Sequence, residues 1–214
     1  MESVKKAPKL DPGDFLAGRP QMQPTEENIL HAAITCVKQW GLERVTLNDI
    51  AYEAKVARST VYKYYSNKDD VIRVALLHSA YDFGIRVVEY FLQYETPEDR
   101  LIEAIVYSLK SLPDEPSLML LSDDALSHLV REHSLTTPQG LDMGSALLTL
   151  MLGDRKRSVG ELQEMSETVI RFVISLATMS SPRQRDDEQM RGYIARRILP
   201  SLGLDIPEQH REIL

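Results

Sequence analysis

Apolar residues recur at three- and four-residue steps along most of the chain from Thr25 onward, and no run shows convincing two-residue alternation of a half-buried strand. In "TEENILHAAITCVKQWG", Leu30, Ala33, Ile34 and Val37 keep helical spacing, Thr25 stands where an N-cap hydroxyl is expected, and Gly41 ends the pattern. Glu26 and Glu27 suit the positive end of that helix's dipole. Two short helices are predicted next: "LNDIAYEA" after Thr46, with Ile50, Ala51 and Ala54 on one side, and "RSTVYKYY" a few residues later. The following segment, "KDDVIRVALLHSAYDFGIRVVEYFLQY", is one long helix that tolerates Gly84. Further helices are marked by Pro97, by Ser122 before "DDALSHLVREH", and by Thr137-Pro138 before "QGLDMGSALLTLML", which ends at Gly153.

Near the C-terminus, "ELQEMSETVIRFVISLATM" carries one stripe of Leu162, Met165, Val169, Phe172, Val173 and Leu176, and a second side made of Ile170, Ile174 and Ala177. A last helix, from about Asp186 to Ile198, aligns Met190, Ile194 and Ile198 and is stopped by Pro200. One apolar face suffices for a monomer core, so spare apolar surface on two terminal helices predicts a homodimer. The fold class is all-α: an N-terminal three-helix helix-turn-helix domain and a larger C-terminal helical domain. The expected boundaries are a flexible arm rich in proline and glycine over 1–24, the helix-turn-helix domain over 25–70, and the larger domain over 71–214.

Composition narrows the function classes. No apolar run approaches the roughly 20 residues of a membrane-spanning helix, and the first residues lack a secretory pattern, so a cytoplasmic protein with no membrane partner is expected. A single cysteine, Cys36, forbids an intrachain disulfide and a thiolate metal cluster. Formal net charge is -7, yet the stretch "AKVARSTVYKYYSNK", Ala54 to Lys68, contains four basic residues, three tyrosines and no carboxylate. That stretch contributes +4, leaving -7 - 4 = -11 for the remainder. A helix-turn-helix unit sets its second helix in the major groove of double-stranded DNA, where the first residues of that helix reach base edges and its flanks grip phosphates. Arg58, Ser59, Thr60 and Lys63 are therefore candidates for reading bases, Arg58 having the forked geometry that suits guanine. Thr46, Tyr62, Tyr64 and Lys68 are candidates for holding phosphates. A carboxylate among them would repel the phosphates and diminish the counterion release that drives binding. Tyr65 is expected to pack inward.

The segment "ILHAAITCVKQWGLERVTLNDIAYEAKVARSTVYKYYSNKDDV" resembles the DNA-binding domain of the tetracycline-repressor (TetR) family of bacterial transcription regulators. The resemblance covers about residues 25–72 and rests on Gly41, Thr46, Asp49-Ile50-Ala51, Ala54, Val56, Tyr62, Tyr65 and Lys68 at the family's spacing. Two positions depart from it: Lys55 replaces the glycine that commonly opens the turn, and Ala57 replaces the usual small hydroxyl cap of the third helix. The resemblance implies the same base and phosphate roles for the eight residues above. It also implies a divergent helical domain that binds a small-molecule effector, dimerises through its last two helices, and releases a near-palindromic operator when a small lipophilic effector binds. Phe83, Val87, Phe91, Tyr107, Leu126, Leu147, Met151 and Phe172 are apolar residues that would line a cavity or serve as plain core.

Two other classes compete. A helical metal-dependent enzyme would rest on Asp124 and His128, four apart on one helical side, but His133 lies off that face and a catalytic metal usually takes three protein ligands. With no nucleophile elbow or phosphate-cradling glycine loop either, no catalytic residue, metal or cofactor is assigned. An adaptor that turns the same fold toward protein partners would have no need of Tyr62, Tyr64 and Lys68 together.

Overall fold

Pro24, rather than Thr25, opens the first helix of the computed structural model. Its pyrrolidine ring presets φ for the first helical position and its missing N–H would be unsatisfied there in any case, so Gln23 becomes the N-cap and Thr25 is drawn into the first turn. The structure describes residues 21–115, 138–153, 155–179 and 181–212. Among them the regular elements are helical: α1 (Pro24–Trp40), α2 (Leu47–Glu53), α3 (Arg58–Tyr64), α4 (Lys68–Phe91), α5 (Pro97–Ser111), α6 (Pro138–Leu152), α7 (Val159–Thr178) and α8 (Asp187–Arg197), with short 3-10 turns including Glu208–His210. Asp124, Leu126, His128 and His133, and the arm up to residue 20, lie outside the described residues.

The described residues divide into two compact units, one formed by 21–83 with 112–115 and 138–140 and the other by 84–111, 141–153, 155–179 and 181–212. In the first, the apolar stripe of α1 closes on α2, α3 and the first two turns of α4. Ile29, Ala33, Cys36, Ile50, Val61, Val71 and Ile72 lose all contact with solvent. α1 ends at Gly41, whose φ of 77° suits glycine. A capping box starts α2: the Thr46 hydroxyl accepts from the Asp49 amide while the Asp49 carboxylate accepts from the Thr46 amide at 2.9 Å. Asn67 caps α4 through the Asp70 amide at 2.9 Å.

In the second unit α5 is central, packing against α7 and α8. Residues around its whole circumference are buried, including Glu98, Arg100 and Glu103. Buried charges need partners. Glu98 receives Arg155 at 2.6 Å, Glu103 receives Arg191, and Arg100 donates to the Tyr94 carbonyl at 2.9 Å. Desolvation lowers the Arg100 pKa, and the Glu103 hydrogen bond raises that of Arg191. α6 meets α7 where Gly144 approaches Ser166 so closely that a Cβ at Gly144 would lie 1.9 Å from the Ser166 hydroxyl oxygen. On α7 only Met165 and Ser166 are buried; Leu162, Val169, Ile170, Phe172, Val173, Ile174, Leu176 and Ala177 remain half-exposed.

Candidate nucleic-acid interface

The short helix α3 is oriented by two side chains that point inward. Val61 is wholly buried and Tyr65, just past the helix end, is 3% exposed. The Tyr65 hydroxyl donates to Glu26 of α1 at 3.3 Å, and burial, reinforced by the Glu26 charge, raises its pKa above the usual phenol value. With 61 and 65 inside, helical spacing turns 58, 59, 62 and 63 outward. Arg58, Ser59, Tyr62 and Lys63 are all exposed, while Thr60 and Tyr64 are half-buried at the margins of this face.

Two contacts organise the exposed arc. Arg58 Nη2 donates to the Tyr62 hydroxyl at 2.9 Å, with its guanidinium carbon 5.2 Å from the tyrosine ring centroid. Because Tyr62 accepts here, its own O–H is left to donate outward, and Arg58 keeps the rest of its five N–H donors. Lys63 Nζ lies 5.8 Å from the Tyr64 ring centroid, so the second basic side chain leans on the second phenol. A base-reading candidate and a phosphate candidate are thus joined in each pair.

Thr46 and Lys68 are held differently. The Thr46 hydroxyl donates to Asp49 at 2.7 Å, so its proton is already used within the capping box. Lys68 Nζ donates to the Leu42 carbonyl at 2.9 Å, fastening the start of α4 to the loop after α1 and leaving two N–H donors. Asn28 makes an equivalent tie, donating to the Ala54 carbonyl at 2.7 Å and so anchoring the end of α2 on α1. Neither tie is visible in local spacing, since each joins residues 26 apart. Tyr52, 84% exposed on α2, is a further phenol bordering the turn.

The turn itself shows why Lys55 matters. The Lys55 amide donates to the Tyr52 carbonyl and the Val56 amide to the Ala51 carbonyl, each at 3.0 Å, which is the paired pattern of a Schellman motif. Its left-handed position falls on Lys55, with φ of 54°. Ala57 then stands at the N-cap of α3 with no side-chain hydrogen bond to offer. The backbone geometry of the helix-turn-helix therefore forms around both departures.

The sequence model of bacterial regulatory proteins, tetR family, matches residues 29–75, a span containing α2, the turn and α3. An HTH-type transcriptional regulator of Bacillus subtilis, YdeS, is 42% identical over 65 residues, which is 30% of this chain and 33% of that protein. An HTH-type regulator of Mycobacterium tuberculosis, Rv2250c, is 26% identical over 159 residues, or 73% of this chain and 81% of that protein. Among solved structures, the TetR family repressor AlkX from Dietzia aligns with a TM-score of 0.59 at 16% identity, covering 88% of this chain and 100% of that one, which speaks to the fold. The helix-turn-helix of this chain thus matches the tetR-family model in sequence, and its helical architecture matches the solved structures in fold.

Proposed function

We propose that the protein is a ligand-responsive repressor that binds a near-palindromic operator as a dimer and lets go when a small lipophilic effector binds. The observation that carries this reading is the outer face of α3, where Arg58, Ser59, Tyr62 and Lys63 are exposed together with no carboxylate between Ala54 and Lys68. Arg58, Ser59, Thr60 and Lys63 would read bases. Tyr62, Tyr64, Lys68 and Thr46 would hold phosphates, Tyr62 through its free O–H and Lys68 through its two remaining donors. For Thr46 the contact requires its hydroxyl to exchange Asp49 for a phosphate oxygen, since its proton is otherwise engaged.

Dimerisation is supported by α7, whose apolar side chains apart from Met165 stay half-exposed in the single chain. Each protomer would present one α3 to one half-site, and an effector that changed the separation of the two helices would break their fit to successive major grooves. A gel shift or fluorescence anisotropy titration with the DNA upstream of its own coding sequence tests this reading. Binding should prefer that DNA over an unrelated duplex of the same length at moderate salt; equal affinity for both would refute it. Native mass spectrometry of the freshly purified protein reads subunit number and any retained effector together.

A further inference from the structure

A cavity of about 630 Å³ lies beside α8, between the loop that precedes the helix and the Glu208–His210 turn that follows it. Its lining includes Arg183, Arg185, Arg196 and Arg197, against two carboxylates, Glu188 and Glu212, and no lysine. The formal charge around it is +4 - 2 = +2 in a chain whose net charge is -7. Glu188 already faces Arg191 at 3.9 Å and His210 at 3.8 Å. None of the four cavity arginines makes an ion pair with a carboxylate among the described residues. Arg185 instead lies 4.1 Å from the ring centroid of Tyr193, whose ring also stacks with Phe172. Arg196 donates to the carbonyls of His210 at 3.1 Å and Glu212 at 2.9 Å.

Helix electrostatics explain half of this cluster. Arg196 and Arg197 stand in the last turn of α8, where the dipole favours cations. Arg183 and Arg185 stand just before its N-cap, Asp186, where the same dipole disfavours them. Gly192 leaves room for the cluster: a Cβ there would lie 2.8 Å from Arg196 Nη1, so the guanidinium folds back over the helix into space that a side chain at 192 would crowd.

We propose that this cavity binds a small phosphate-bearing anion of up to nucleotide size. Arginine forks match phosphate oxygens in pairs, which four arginines in one lining exploit better than lysines would. The volume falls within the range of small-molecule sites, about 300–1,000 Å³, and exceeds what one inorganic phosphate fills. The proposal is independent of the DNA-binding face, and the site lies on a different compact unit from α3.

Isothermal titration of the full chain with pyrophosphate and with ATP, at low ionic strength and against a chloride control, tests it. Saturable binding of at least one probe is expected. The double variant Arg183→Ser, Arg197→Ser removes two side chains that hold nothing else among the described residues, and should weaken it by roughly tenfold or more without changing the melting temperature. Gly192→Ala should weaken it as well by pushing Arg196 aside, even though alanine favours the helix. Three results would each overturn the proposal. One is probe binding no stronger than chloride's. Another is binding that survives the double variant but disappears in Arg58→Ala, which would put the anion on α3. The third is unchanged probe binding with an altered monomer–dimer equilibrium, which would make the arginines a subunit contact.

Discussion

Replacing Lys55 by glycine should make the helix-turn-helix more stable and its DNA binding weaker. At φ of 54° a non-glycine residue crowds its Cβ against the following carbonyl, which costs about 1–2 kcal/mol. Glycine removes that penalty but gains freedom in the unfolded chain, offsetting about 0.4–1 kcal/mol of the benefit. The difference leaves Lys55→Gly more stable than Lys55→Ala by about 0.5–1 kcal/mol, because alanine keeps the Cβ and both variants lose the same charge. The chain's single tryptophan, Trp40, is 43% exposed at the end of α1, so its fluorescence during urea or thermal unfolding follows this unit. Each phosphate contact contributes about 0.9 to the slope of log K against log salt, so if Lys55 touches a phosphate both variants should lower that slope equally. The strain argument is refuted if Lys55→Gly melts at or below Lys55→Ala, which would mean the Schellman hydrogen bonds hold the left-handed turn without tension.

Other outcomes follow from the same geometry. Ala57→Ser supplies the missing N-cap oxygen of α3 and should stabilise the unit by about 1 kcal/mol in the same fluorescence assay. Arg58→Ala should relax base preference at one position of each half-site by about 1–3 kcal/mol, whereas Tyr62→Phe, which removes only a hydroxyl, should weaken all sequences nearly alike; a binding series over single-base operator variants separates the two. The Cys36 thiol is buried, and desolvation, with smaller contributions from Glu53 and Asp49, raises its pKa from 9.0 to about 11. The unfolded chain therefore gives up this proton first, so the thiol's contribution to stability holds below about pH 9 and is lost as pH rises toward 11. Alkylation at pH 8 should accordingly reach Cys36 only after unfolding, which mass spectrometry reads directly.

The described helices and the outward face of α3 were legible because they depend on local period. Once Val61 and Tyr65 are placed inside, the positions of Arg58, Ser59, Tyr62 and Lys63 follow from 3.6 residues per turn. Lys55 was legible too, as a substitution for the glycine expected at that turn, and its positive φ is the physical form of that departure. Sequence reasoning missed contacts whose partners are remote. Lys68 reads as a free cation until the Leu42 carbonyl is folded against it, and Thr46 reads as a free hydroxyl until Asp49 takes its proton. Glu98, Arg100 and Glu103 look like a solvated face of α5, yet they are buried because Arg155, 57 residues away, and Arg191, 88 residues away, return to meet two of them. Charge pattern alone cannot distinguish a wet carboxylate from one whose counter-ion arrives through tertiary structure.

The same limit bears on α7. Its two apolar sides were plain from spacing, but a hydrophobic pattern records only that surface leaves water, not which chain covers it. Within its own unit α7 buries Met165 and Ser166 and leaves the rest of both stripes half-exposed. Contiguous apolar surface of that kind favours association, whereas scattered single residues would not. Reading two half-sites, as proposed, would require two copies of α3, so on that reading the demand for a second chain arises at one end of the sequence from DNA geometry and at the other from unburied hydrocarbon. If charged substitutions at Val169 and Val173 left the protein dimeric and its operator affinity intact, those two demands would have to be met by different surfaces.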